Sequence, residues 1–357
     1  MQKKSIMVDI RALGQSGLGR YVEDVVVGIL PELENVFEVI LLIDCKIPIE
    51  KMHSYGLFDY KHEKAGMLSI VSKKYDFCWF PTLNQPLFGP RNRILSVHDL
   101  AQLKWETASP RLVFRALATY ILNLYFLKKA VVVMFNSDFT RTEYGNYYKE
   151  TLDRIPNLNV VNLTTCKKHK PIRAKHIVNN SLLFVGNLKY TKNLKILINA
   201  VNLISNANLT IVTSGAGKFI DHDLKYLENI NPKKIKMLSN LTDKDLVDLY
   251  SKSDLLILPS LYEGWGYTPY EALDQGCNIL VSNIPPLNKV FKNPQIFFDP
   301  KDEVVLTKMI SNYFALTDNE KDSLFIKTFN SCKVRTLPSV RKETINSILK
   351  IVKTKVA

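Results

Sequence analysis

The sequence is poor in cysteine, and what it has is scattered. Cys45, Cys78, Cys166, Cys277 and Cys332 are odd in number and far apart, which excludes a disulfide framework and supplies no paired spacing for a zinc site. Long hydrophobic runs are also lacking. The opening "MQKKSIMVDIRALG" passes straight into an expected strand, with no apolar segment of signal-peptide length. The most apolar stretch, "RLVFRALATYILNLYFLKKAVVVMF" at residues 111–135, is cut by Arg115, Lys128 and Lys129, below the roughly 20 apolar residues a membrane span needs. It reads as a buried helix followed by a strand, in preference to a membrane-surface helix. Acidic charge is in deficit: the formal net charge is +14, spread over both halves of the chain. No aromatic-and-arginine module accompanies it, so a nucleic-acid partner is not expected. Diffuse positive charge instead suits a cytoplasmic protein that handles anionic small molecules or touches an anionic membrane surface.

What is present is a long alternation of strands and helices. At 357 residues the chain is too long for one ordinary core and suits two domains. In the first half "KSIMVDI", "FEVILLID", "YDFCWFP", "NRILSVHD" and "AVVVMFNS" read as short buried strands separated by helical stretches; in the second, "SLLFVGN", "NLTIVTSG", "KIKML", "DLLILPS", "CNILVSN" and "QIFFDP" repeat the pattern. Strand and helix in alternation mean a doubly wound parallel sheet, here twice. The expected organisation is a Rossmann-like domain over 1–165, a charged linker at 166–180, a second Rossmann-like domain over 181–335 and a basic helix over 336–357, with a cleft lined by the carboxyl ends of both sheets.

Within this frame "SLYEGWGYTPYEALDQG", residues 260–276, sets two carboxylates, Glu263 and Glu271, on either side of a glycine loop. The apolar run "DLLILPS" precedes it. Thr268, Pro269 and Glu271 fit N-cap, first position and third position of a capping box, so a helix should run to Gly276. Loops beyond the carboxyl ends of parallel strands bind ligands, and a helix start offers free N–H groups to phosphate. Glu271 is therefore either a capping residue or a ligand contact. Glu263 lacks a capping role, which leaves a solvated loop acid or a functional carboxylate.

With these residues in view, the chain resembles glycosyltransferase family 4, retaining sugar-nucleotide enzymes with the two-domain GT-B fold. The likeness is strongest from Leu238 to Pro300, where a glutamate, seven residues and a second glutamate stand between strand and helix with "EALDQG" behind. "VDIRALGQSGLGRY", "SVHDLAQLKWE" and "FVGNLKYTKN" resemble the family in the same order. The resemblance implies that Glu263 contacts donor-sugar hydroxyls and that Glu271 takes the two ribose hydroxyls. A carboxylate accepting from a vicinal diol gains charge-assisted bonds of roughly 1.5–3 kcal/mol each. The loop of Gly264, Trp265, Gly266, Tyr267 and Thr268 would bring amides to the sugar and diphosphate. Lys192 would reach the diphosphate, where negative charge grows as the sugar departs.

Two departures stand out. Asn187 occupies a position where many members carry arginine, and Lys289 one where they often carry glutamate; Lys189 is a displaced alternative cation. Asp221 and Asp223 form an Asp-x-Asp but suit a helix start, so no metal and no cofactor is expected. In the first domain the resemblance implies that Gly17 and Gly19 form a glycine turn facing the diphosphate and that His98 touches the donor sugar, with turn formation and a satisfied strand-end histidine as the structural alternatives. Asp99 and Arg20 are further acceptor-side or structural candidates.

The expectation is thus a metal-independent retaining hexosyltransferase moving a sugar, with mannose or a related sugar favoured, from a GDP- or UDP-linked donor to an acceptor hydroxyl in bacterial surface polysaccharide assembly. A lipid-linked acceptor and peripheral contact with the inner membrane face would fit the basic charge. The rival readings are a sugar-nucleotide epimerase or phosphorylase on the same scaffold, and a non-catalytic anion-binding protein.

Overall fold

The computed structural model describes residues 3–14, 16–44, 47–64, 75–82, 85–86, 92–103, 110–163, 173, 177–213, 227, 230–239, 241–332 and 335–354. The chain forms two units, one of Met1–Thr164 with Arg335–Ala357, the other of Thr165–Val334.

The first unit is built on a parallel sheet of β1 (Lys4–Asp9), β2 (Phe37–Ile43), β3 (Lys61–Lys64), β4 (Phe77–Phe80), β5 (Arg93–Val97), β6 (Ala130–Phe135) and β7 (Asn157–Val160), in the order β3-β2-β1-β4-β5-β6-β7. The order reverses between β1 and β4, the position at which doubly wound sheets open toward ligand. β4 and β5 are buried at every residue, as strands covered on both faces must be. The edge strands β3 and β7 were not foreseen: "KHEK" and "NLNV" carry no apolar run, because a strand paired on one side needs less burial.

Between β1 and β2 the chain is helical but irregular. Ser16–Tyr21 is an α-helix, Val22–Val26 widens into a π turn, Val27–Ile29 tightens into a 3-10 turn and Leu30–Glu34 is α-helical again. The C-terminal helix Leu337–Thr354 packs on this run and on β6 and β7, and the Arg341 Nε donates to the Asp24 carbonyl at 2.7 Å. The segment set apart in the sequence as a basic tail helix is therefore grouped with the first unit.

Helix Pro110–Leu127 corrects another expectation. Asn123, Phe126 and Leu127 are buried, but Val113, Phe114, Leu117 and Ile121 are 58, 72, 55 and 55% exposed. A run apolar on all sides was read as buried, whereas here one side faces the sheet and the other faces solvent.

The second unit repeats the design with β8 (Val178–Val185), β9 (Asn208–Thr213), β10 (Ile235–Ser239), β11 (Ser253–Leu258), β12 (Asn278–Ser282) and β13 (Phe297–Phe298), all parallel in the order β10-β9-β8-β11-β12-β13. Its order reverses between β8 and β11. The helix expected near "HDLKYLENI" lies mainly outside the described residues, as do Asp221, Asp223, Cys45 and Cys166. Cys78, Cys277 and Cys332 are free thiols.

At the amino end of β11 the fully buried Asp254 carboxylate receives Arg173 at 3.0 Å, Lys321 at 2.8 Å and the Tyr313 hydroxyl at 2.9 Å. These bonds tie the segment before β8 and helix Asp318–Ser331 to the central strand. Removing one partner of a buried ion pair strands the other charge, at a cost of about 3–5 kcal/mol. Lys321→Met, which keeps the volume and loses the charge, should lower denaturant-measured stability by about 3 kcal/mol; a loss within ordinary error would show that Arg173 and Tyr313 suffice.

Candidate functional site

The site-bearing loops of the second unit leave β8 and β11, the two strands flanking its order reversal. Beyond β8 come Gly186 and Asn187, a 3-10 turn over Tyr190–Lys192, and helix Leu194–Leu203. Asn193 joins turn to helix in a left-handed conformation, with φ of 51°, which asparagine tolerates better than other side-chain-bearing residues. Its amide donates to the carbonyls of Pro259 at 3.0 Å and Pro300 at 2.7 Å. The Leu261 N–H donates to the Thr191 carbonyl at 2.8 Å, so the two loops are stapled together through their backbones.

Across this staple Lys192 and Glu263 meet. The ammonium donates to Glu263 Oε1 at 2.6 Å, and the Ser260 hydroxyl donates to the same oxygen at 2.7 Å. Glu263 is buried and Lys192 mostly so. This answers the question left by the sequence, since Glu263 is not a solvated loop acid. Lys189, the alternative cation, is exposed. Asn187 is half-buried, and its Oδ1 has no hydrogen-bond partner among the described residues.

The glycine loop has strict steric limits. Gly266 sits at φ of 83°, and a Cβ there would meet Leu287 at 2.9 Å; no other residue type fits without displacement. Gly264 is buried and Tyr267 half-buried. Trp265 is buried and stacks on Tyr270 with centroids 5.7 Å apart. Its ring therefore anchors the loop from beneath. Lys289, on the short helix Leu287–Val290, points to solvent.

The capping box does not form. The helix runs Thr268–Asp274 with Tyr267 as its cap residue and no side-chain cap bond; the Thr268 hydroxyl donates to the Val185 carbonyl at 3.4 Å instead. Glu271 accepts from the Tyr250 hydroxyl at 2.9 Å. Pro269 and the glycine stop are as read, with Gly276 at φ of 81°. The true capping box of this region is Thr242 with Asp245, at the start of Asp243–Lys252, the helix that carries Tyr250.

In the first unit Gly17 and Gly19 lie inside helix Ser16–Tyr21. The turn comes earlier, at Gly14, with φ of 78°. A Cβ on Gly19 would stand 2.5 Å from the Ala12 carbonyl, so close packing accounts for this glycine. Gly17 is exposed. His98 follows β5, half-buried, with its ring edge against Tyr21 at 4.6 Å. Its Nε2 lies 2.8 Å from the Pro81 carbonyl. A carbonyl can only accept, so Nε2 carries the hydrogen and the neutral ring keeps a lone pair on Nδ1. Burial pushes the His98 pKa down, with the Pro81 bond opposing. The backbone carbonyl of His98 accepts from the Asn136 amide at 2.9 Å. Asp99 caps the next turn through Ala101 N.

Several residues here escaped the sequence reading. Asn193 and Tyr250 have polar side chains directed by tertiary contacts, whereas Ser260 bonds Glu263 three residues on and Asp9 pairs with Arg11 two residues on, through Arg11 Nε at 2.9 Å and its terminal nitrogen at 2.7 Å. Asn193 alone gave a local signal, an asparagine immediately before a helix.

The paired parallel sheets with ligand-type loops at their order reversals define the GT-B class. Its solved structures include a sucrose-phosphate synthase from Thermosynechococcus elongatus, similar at a TM-score of 0.69 and 14% identity over 99% of this chain and 100% of that one. A lipopolysaccharide outer core galactosyltransferase is similar at 0.58 and 13%, covering 97% of this chain and 99% of that one. Residues 168–328 match the family described as Glycosyl transferases group 1. Curated relatives include an uncharacterized glycosyltransferase of Methanocaldococcus jannaschii, 31% identical over 115 residues, 31% of this chain and 29% of that one. O-antigen chain mannosyltransferase B of Escherichia coli is 24% identical over 188 residues, 49% of each chain. An O-antigen chain mannosyltransferase of Salmonella typhimurium is 30% identical over 130 residues, 36% of this chain and 35% of that one. The matched stretches thus span about a third to a half of these relatives.

A group whose folded pKa is depressed contributes stability that is present above its unfolded pKa and lost as pH falls through the folded one. For His98 the unfolded ring protonates near 6.5. The melting temperature should therefore fall as pH drops from neutral through that range, and His98→Asn should flatten this part of the profile. Parallel profiles for the two proteins would remove the buried neutral histidine from the account.

Proposed function

We propose that this protein is a metal-independent, retaining glycosyltransferase. It moves a hexose, with mannose or a related sugar favoured, from a GDP- or UDP-linked donor to an acceptor hydroxyl in the assembly of a bacterial surface polysaccharide such as an O-antigen or capsule. The observation that carries this reading is the Lys192–Glu263–Ser260 cluster, held between the loops that leave β8 and β11. The mannosyltransferases among its relatives support the choice of sugar.

In this reading the diphosphate draws on the Lys192 ammonium, and Glu263 exchanges that partner for sugar hydroxyls, keeping Ser260. Glu271, oriented through one oxygen by Tyr250, offers its carboxylate to the ribose diol. The amides of Gly264, Trp265 and Gly266 approach the sugar and diphosphate. The bond from the anomeric carbon to the diphosphate oxygen breaks, and the bond to the acceptor oxygen forms on the same face. The acceptor proton passes to the leaving diphosphate. Charge grows on that leaving group, and a preorganised cation is worth most where charge develops. In the first unit the resemblance makes His98, whose Nδ1 keeps a lone pair, and the exposed Gly17 the candidates for donor contact. A lipid-linked acceptor and peripheral contact with the inner membrane face complete the setting.

Lys192→Ala should cost roughly 2.7–4 kcal/mol in the chemical step, the size of one oxyanion donor; Lys192→Gln should recover little, and activity should persist in EDTA. NMR of the product should show the anomeric configuration of the donor. A saturating nucleotide sugar, at about a hundred times its dissociation constant, should add about 2.7 kcal/mol of apparent stability. Normal turnover by Lys192→Ala, or an inverted product, would overturn the mechanism. Product from free phosphate would mark a phosphorylase, and stabilisation without any turnover an anion-binding protein.

A further inference from the structure

Helix Pro110–Leu127 dresses one side in apolar residues that no described residue covers. Phe114, Leu117 and Ile121, at spacings of three and four, share one face and are 72, 55 and 55% exposed, with Val113 at 58% on its flank. The opposite side is anchored: Asn123, Phe126 and Leu127 are buried, and Tyr120 stacks on Tyr148 of helix Asp138–Leu152 at 5.1 Å. The exposure therefore belongs to a well-seated helix. Solvated surfaces do not usually gather large apolar side chains in this way, and a contiguous patch marks an interaction site.

The charge around the stripe is of one sign. From residue 110 to residue 136 the chain holds Arg111, Arg115, Lys128 and Lys129 and no aspartate or glutamate. Arg115 and Lys128 are exposed, and Lys128 follows Ile121 by two helical turns on the same side. The adjoining helix Asp138–Leu152 is balanced, with Arg141 and Lys149 exposed beside Asp138 and Glu150, so the bias is local to this segment. An isologous dimer through the stripe would set Arg115 and Lys128 of one copy against those of the other, which like-charge repulsion opposes. An anionic lipid surface meets both features at once: apolar side chains enter the acyl boundary while arginine and lysine pair with headgroups.

We infer that helix Pro110–Leu127 is a monotopic docking surface for an anionic lipid bilayer, with Phe114, Leu117 and Ile121 inserted and Arg115 and Lys128 at the headgroups. It gives residues to the membrane contact proposed above and rests on that reading only for its setting, since docking needs no sugar transfer.

Co-sedimentation of the full chain with vesicles separates the outcomes. Phosphatidylcholine vesicles containing phosphatidylglycerol should carry the protein down, and phosphatidylcholine alone should not. Replacing Phe114, Leu117 and Ile121 with serine should reduce partitioning on the order of a hundredfold or more, with melting temperature and GDP or UDP affinity unchanged because the positions are exposed. Arg115→Glu with Lys128→Glu, which keeps the stripe, should also release it. Binding retained by both variants, equal binding to neutral vesicles, or a dimer in light scattering that the serine variant breaks would each overturn the proposal. Loss of nucleotide affinity in the unaltered protein would count against the donor site and leave the docking result standing.

Discussion

A single ion pair, Lys192 to Glu263, spans the order reversal of the second sheet and organises what surrounds it. The partners are 71 residues apart in sequence and are delivered by the loops after β8 and β11. The Lys192 stem passes Gly186 at ordinary contact distance, 3.9 Å from a Cβ placed there to the Lys192 Cδ, while Phe184 at 3.3 Å sets the tighter limit at that glycine. For the carboxylate to stay, Gly266 must turn back tightly at positive φ. The Asn193 amide and the Leu261–Thr191 backbone bond hold the two loops at that separation. A mostly buried pair of this kind is weak as a source of stability, because desolvation offsets much of the attraction. Its strength lies in poise: either partner can exchange the other for a charged or hydroxylated ligand without leaving a buried charge alone.

The buried Asp254 network and the candidate site occupy opposite ends of the same strand. β11 opens with Ser253 and Asp254, the latter buried under Arg173, Lys321 and Tyr313, and ends at Leu258, two residues before Ser260 and five before Glu263. The amino-end network pins the neighbouring helix and the segment before β8. The carboxyl-end cluster retains polar atoms in want of partners, including the buried Trp265 Nε1 and Asn187 Oδ1.

Most of the fold could be read from the sequence because buried parallel strands are apolar runs, and "DLLILPS", "CNILVSN" and "AVVVMFNS" have nowhere to go but a covered sheet. β3 and β7 escaped because edge strands need no such run. The exposed stripe of Pro110–Leu127 escaped because hydropathy measures a tendency to leave water, not what a given fold offers to cover it. At the site, the glutamates were legible through their place in a strand–loop–helix pattern, and Lys192 only through the resemblance carried by "FVGNLKYTKN". Their partners were not: Tyr250 and Asn193 act through contacts 21 and 66 residues away in sequence, and Ser260 meets Glu263 three residues on only because the loop folds back on itself. Thr268 and Glu271 showed the reverse: a local capping pattern was present, and the tertiary contacts to Val185 and Tyr250 prevailed over it. Gly19 likewise owes its identity to the Ala12 carbonyl rather than to a turn.

The central claim is that Lys192 is shared between Glu263 and a diphosphate. Calorimetric titration of GDP and UDP into the unaltered protein, Lys192→Met, Glu263→Gln and the double variant tests it most directly. Competition for one ammonium predicts that Glu263→Gln binds the nucleoside diphosphate at least as tightly as the unaltered protein. It also predicts that Lys192→Met costs more affinity in the Glu263→Gln background than alone, by a coupling of about 0.5–3 kcal/mol. Additive effects, or a Lys192→Met protein that binds both nucleotides as well as the original, would contradict it.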